Sequence, residues 1–131
     1  MAERVLDASA LLAFMREETG ADVVHAALEA ECAISVVNVA EVLSKLTSDG
    51  DEPGGTFELI EAFRERLALF ALEREDLIEI ARLRPLTRAA GLSLADRACL
   101  ALAHRLGIPA LSADRQWAEL DLPGIEVELI R

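Results

Sequence analysis

The sequence predicts an α/β fold with three layers, α/β/α, around a mostly parallel central sheet of about five strands. Three observations carry that expectation. Short runs that are apolar at nearly every position, such as Val5-Leu6, Cys32 to Ser35 and Ala110-Leu111-Ser112, alternate with longer segments whose apolar residues recur at helical period. Strands without a polar face belong in a parallel sheet covered by helices on both sides. Of the 131 residues, 53% are hydrophobic, which suits one domain over 1–131 with a full core.

Taken in order, Val5-Leu6 reads as a buried strand ending at Asp7, with helix-forming Ala8 to Met15 behind it. Thr19 to Glu31 reads as a second helix, with Val23, Ala26, Ala27 and Ala30 on one face. Cys32 to Ser35 is the second strand, and Ser35 caps a helix running to about Ser48. Asp49 to Gly55, reading DGDEPGG, is the strongest breaker in the chain and predicts an exposed loop. Thr56 opens a helix through about Arg66, and Leu69 to Leu72 forms the third strand. Glu75 to Leu83 is helical, with Leu77, Ile80, Ala81 and Leu83 inward and Pro85 ending or kinking it.

The densest organisation lies between Leu92 and Trp117. Ser93 followed three residues later by Asp96 forms a capping box with an acid in place of the usual Glu. Leu94, Ala98, Leu102 and Leu106 then recur every four residues, Gly107 stops the helix, and Pro109 prevents its resumption. Ala110 to Ser112 is the fourth strand and Asp114 follows in the loop. Gln116 to Leu120 supplies a helical turn or two, and Ile125 to Ile130 alternates as a last strand at an edge.

Several classes of function are excluded. There is no GxGxxG pattern and no P-loop, so a glycine-rich nucleotide cradle is unsupported. Glu3, Arg4 and Asp7 interrupt the apolar run that a signal peptide needs, and no stretch is long enough to span a membrane, so a cytoplasmic location is expected. Cys32 and Cys99 have no metal-ligand spacing and read as buried free thiols. The net charge of −11 runs against the basic excess usual in nucleic-acid binders. It decides little, because all the basic residues except Lys45 are arginine, suited to phosphate, and cations held by acids reverse the local field. The same acidity suits a basic protein partner.

Asp7, Asp96 and Asp114 stand at strand ends or helix starts. Capping explains each of them singly. Together they stand at ends that a parallel sheet brings to one rim, where open α/β sheets bind ligands, and a shared site explains all three. Glu41 has two readings: a solvated acid paired with Lys45 at i,i+4 spacing, or a lone acid in the apolar stretch ISVVNVAEVL reaching the rim near Asp7. Four carboxylates at one point require a counter-ion, and hard oxygen donors without His or Cys suit Mg²⁺ or Mn²⁺. Such an ion lowers the pKa of bound water and neutralises charge on a phosphoryl group, which points to phosphate-ester hydrolysis.

These residues resemble a known family. Asp7-Ala8-Ser9, SVVNVAEVL with Glu41, GLSLADRACLALAHRLGIPALSADRQW with Asp96 and Asp114, and the closing PGIEVELI are similar to the PIN-domain ribonucleases, specifically the VapC-type toxins of type II toxin–antitoxin systems. The resemblance spans nearly the whole chain, and its third block is the most specific. It implies a PIN-like fold and a Mg²⁺- or Mn²⁺-dependent endoribonuclease, homodimeric, neutralised by a cognate antitoxin that buries a peptide, often an Arg, in the acidic site. Asp7, Glu41, Asp96 and Asp114 match the acidic quartet of that family, and Ser9 and Ser112 match positions where it often has Ser or Thr beside the metal. The family often carries a further acid after the last Asp, for which the nearest candidates here are Glu119 and Asp121.

Arg97 and Arg115 directly follow two of the acids and are candidates for substrate phosphate or for pairing with neighbouring carboxylates. Trp117 reads as a core or rim anchor, and His25 and His104 as surface or partly buried helix residues. A PIN-like module that is catalytically inactive and binds an Arg-containing partner through its acidic pocket is the competing reading. A phosphoacceptor receiver domain is set aside: Asp7 has no acidic neighbour, Leu69 to Leu72 carries no Asp, and the only Lys is Lys45.

Overall fold

The computed structural model describes residues 1–131. Strands β1 (Arg4–Leu6), β2 (Cys32–Ser35), β3 (Leu67–Phe70), β4 (Ala110–Ser112) and β5 (Val127–Leu129) form one sheet in the order β3-β2-β1-β4-β5. Every neighbouring pair is parallel, so the expected sheet of five strands is wholly parallel. Six helices accompany it: α1 (Ala8–Met15), α2 (Ala21–Glu29), α3 (Val36–Ser48), α4 (Pro53–Glu61), α5 (Arg74–Thr87) and α6 (Leu94–Leu106). The chain moves outward from β1 to β2 and β3, then returns to place β4 on the other side of β1. The strand order therefore reverses between β1 and β4, which opens a crevice at their carboxyl ends.

Period-2 alternation divides the core into two layers. Leu6, Ile34 and Leu111 pack with α1, α2, α3 and α4, whereas Val5, Ala33 and Ala110 pack with Leu83 of α5 and Cys99, Leu100, Leu102 and Ala103 of α6. Trp117 sits at 1% exposure in the second layer, as an anchor of the core. Cys32 and Cys99 are buried and free. No helix is long and apolar enough to cross a membrane.

The differences from expectation have local causes. Helix α4 begins at Pro53, inside the expected loop, because Glu52 accepts hydrogen bonds from the backbone N–H groups of Gly54 (3.0 Å) and Gly55 (2.6 Å) and a proline suits the first helical position. Strand β3 lies two residues earlier than expected, with Leu67 paired to Cys32. Helix α5 continues past Pro85, tied by buried Thr87, whose Oγ1 donates to the Leu83 carbonyl at 2.8 Å. It turns Asp76, Ile80, Leu83 and Thr87 inward, while Leu77 and Ala81, expected inside, are exposed. Likewise Val24 and Leu28 replace Val23 and Ala26 on the buried face of α2, and Leu94 at the start of α6 is 61% exposed.

Candidate functional site

The crevice between β1 and β4 is built around Asp7. Leu6 pairs with Leu111, and the Asp7 backbone N–H donates to the Leu111 carbonyl, which puts the first residue past β1 beside the end of β4. Asp7 is the N-cap of α1: its Oδ1 accepts from the Ala10 backbone N–H at 2.8 Å. Ser9 Oγ donates to both carboxylate oxygens at 2.7 and 2.8 Å, and Ser112 Oγ donates to Oδ2 at 2.6 Å. Each hydroxyl also accepts from the β4 loop, Ser9 from the Ala113 N–H at 2.9 Å and Ser112 from the Asp114 N–H at 3.0 Å. The two strand ends are thus stitched together through one carboxylate. That carboxylate is 2% exposed, and burial pushes its pKa from 3.8 up to about 6. The bonds from Ser112, Ala10 and Ser9 pull against burial, and the charge of Asp96 adds to it.

Asp96 closes the capping box of α6, accepting from the Ser93 N–H at 2.9 Å while its own N–H donates to Ser93 Oγ at 3.1 Å. Those bonds hold the side chain by Oδ2 and leave Oδ1 without a protein partner. Glu41, half-buried on α3, has a raised pKa, first from burial and then from Asp96, against the opposing pull of Lys45 and Asn38. Glu41 makes no ion pair with Lys45, and its half-buried carboxylate feels the opposing charges of Lys45 and Asp96. Cys99 feels all three charges: burial pushes this thiol far up, and Asp7, Asp96 and Glu41 add to it in that order. Asp114 stands on the exposed loop after β4 as the cap of the short 3₁₀ turn, where its Oδ1 accepts from the Gln116 N–H at 3.0 Å.

The donor set fits a hard divalent cation. Asp7, Asp96 and Glu41 with the Ser9 and Ser112 hydroxyls are hard oxygen donors, and the charge of Asp96 on both Asp7 and Glu41 is what a counter-ion relieves. No three acidic, His or Cys side chains form a ready cage. That is compatible with Mg²⁺, which keeps several waters and takes one or two carboxylates.

Other residues stand elsewhere. Arg97 lies in the seam between α5 and α6, where Nη1 donates to the Ile80 carbonyl at 2.9 Å and the buried Nε has no partner. Arg115, Glu119 and Asp121 are exposed in or after the short 3₁₀ turn that follows β4, and His25 and His104 are exposed on helices. Sequence reasoning passed over Asn38, which is fully buried beside Glu41. The available signal was an amide, a poor helix former, in the middle of an apolar helical run.

Comparison with known proteins places this geometry. The PIN domain matches residues 4–122, a span that contains Asp7, Glu41, Asp96 and Asp114. Among solved structures, the chain is similar to a DNA-bound VapBC from Salmonella typhimurium, at TM-score 0.73 and 16% identity over 100% of both chains. It is similar to VapBC2 from Rickettsia felis bound to a promoter DNA fragment, at TM-score 0.73 and 16% identity, covering 96% of this chain and 97% of that one. VapBC-5 from Mycobacterium tuberculosis, a member of the VapBC family of toxin–antitoxin systems, aligns at TM-score 0.61 and 23% identity over 100% of this chain and 99% of that one. No curated protein matches the sequence. At these identities the structural likenesses establish a common fold, and the domain match establishes kinship: the chain belongs to the PIN domain family.

Proposed function

We propose that residues 1–131 act as one PIN-like domain, a Mg²⁺- or Mn²⁺-dependent endoribonuclease that is the toxin of a toxin–antitoxin pair and works in the cytoplasm. The observation that carries this reading is Asp7, buried at the switch point, gripped by two hydroxyls and within reach of the Asp96 charge. Asp7, Asp96, Glu41 and Asp114 would hold the ion, with Ser9 and Ser112 fixing the orientation of Asp7. The ion, when bound, supplies an activated water and neutralises charge on the phosphoryl group. The protein's part is placement. The Ser9 and Ser112 bonds keep Asp7 in one rotamer and offset part of the burial that favours its protonated form, and the capping box fixes Asp96 with one oxygen free. Arg115, exposed one residue beyond Asp114, is available to substrate phosphate, whereas the Arg97 guanidinium is engaged with α5.

Two further features support the partners proposed. The net charge of −11 complements a basic antitoxin, and the acid crevice suits an inserted Arg. The outer face of α5 leaves Leu77, Ile78 and Leu86 at 56%, 62% and 47% exposure, an apolar surface suited to a homodimer contact. The test is cleavage of RNA by the purified protein. Activity is expected only with Mg²⁺ or Mn²⁺, to vanish in EDTA, and to be lost in Asp7→Asn and Asp96→Asn while the fold survives. Metal-independent cleavage, or full activity in both variants, overturns the proposal. A protein that cleaves no RNA and binds no Mn²⁺ at the quartet is instead an inactive module that holds an Arg-containing partner.

A further inference from the structure

Asn38 sits in α3 one turn before Glu41 and is fully buried. Its Nδ2 donates at 3.0 Å to the carbonyl of Ala95, the residue before Asp96 in the first turn of α6. The same side chain acts on Glu41, since it is among the groups that favour the ionised carboxylate there. Its Oδ1 is buried without any partner. Asparagine is a weak helix former, and its orphaned acceptor offsets part of what the bond to Ala95 contributes. The residue stands on the contact between the two helices that carry Glu41 and Asp96.

We propose that Asn38 is a positioning residue whose carboxamide clamps α3 to the first turn of α6 and so sets the separation of the Glu41 and Asp96 carboxylates. The pair cannot hold itself together, because two acids repel; an uncharged amide bridging to the α6 backbone does so without adding a competing charge. Groups behind metal ligands commonly control affinity in this way. This inference rests on the metal-site reading above, and its test separates the two.

The measurement is Mn²⁺ binding to the metal-free protein by calorimetry at pH 7.5, for wild type, Asn38→Leu and Val42→Ala. Leucine keeps the branched shape of asparagine at a larger volume and removes both polar groups. Val42, fully buried on the same helix, supplies a packing perturbation that leaves the polar groups in place. The Kd for Mn²⁺ is expected to rise about tenfold or more in Asn38→Leu and to stay within about twofold of wild type in Val42→Ala. If Asn38→Leu does not fold, Asn38→Ser is held to the same threshold. A Kd within twofold of wild type, or an equal rise in Val42→Ala, overturns the role of Asn38 and leaves the metal site standing. Wild-type protein that binds no Mn²⁺ removes both.

Discussion

Asp7→Asn should make the metal-free protein more stable at neutral pH, although the substitution removes the central acid. The Asp7 pKa rises from 3.8 to about 6 in the fold, so the folded state holds this proton more tightly than the unfolded chain does. Ionising Asp7 therefore opposes folding. The penalty is complete above about pH 6, shrinks as the pH falls, and is gone below the ordinary value of 3.8. A shift of about two units corresponds to about 3 kcal/mol. Asparagine still accepts from Ala10, but accommodates the Ser9 and Ser112 hydroxyls less well, a loss of about 1 kcal/mol. The net gain is then about 2 kcal/mol at pH 7.5, or roughly 5–8 °C in Tm for a chain of this length. Circular-dichroism melts in EDTA between pH 4 and pH 8 read it directly. The difference between the two proteins should close as the pH drops toward 4. A variant that is no more stable than wild type at pH 7.5, or whose advantage is the same at every pH, would refute the reasoning.

Divalent cation should reverse that ranking. Mn²⁺ at about a hundred times its Kd should stabilise the wild type by about 2.7 kcal/mol and leave Asp7→Asn unchanged, as seen in melts with and without the ion. Because the ion competes with the proton on Asp7, apparent Mn²⁺ affinity should hold above about pH 6 and weaken up to tenfold per unit below it, measured by titration calorimetry. Ser112→Ala deletes the 2.6 Å bond to Asp7, so the Asp7 pKa should climb further, visible in its ¹³C carboxyl titration, with about 1–2 kcal/mol lost from the fold. Ile78→Asp on the exposed face of α5 should leave the melting temperature nearly unchanged and shift sedimentation from dimer to monomer; an unchanged dimer would move the proposed contact elsewhere.

The sheet, and the places of Asp7, Asp96 and Asp114 at strand ends and helix starts, were legible because their signals are local. A strand with no polar face, a Ser three residues before an acid, and an acid just past a strand are each set by neighbours within one turn. Helix faces were harder. Apolar residues on α2, α5 and the start of α6 outnumber those the core can take, so periodicity admits more than one buried stripe; packing against the sheet chose Val24 over Val23, and packing against α6 chose Ile80 over Leu77. The position of β3 was ambiguous for a similar reason: LALFAL is apolar throughout, and only pairing with β2 fixes Leu67 opposite Cys32. The start of α4 was hidden by Gly54 and Gly55, which read as breakers until Glu52 is seen capping them. Asn38 and the Ser9–Ser112 network depend on contacts across more than fifty residues, which no local pattern carries.

The burial of Cys99 beneath the acids has a kinetic consequence. A thiol reacts as its thiolate, and both enclosure and three nearby carboxyl groups suppress that form here. Alkylation of Cys99 must therefore wait for α6 to part from the sheet, and its rate becomes a clock for that opening. Cys32, buried under the opposite layer with its pKa near 11, keeps time for the other half of the core. Whatever binds between β1 and α6 would slow the first clock and leave the second running, so two native cysteines distinguish local closure of the crevice from general tightening of the fold.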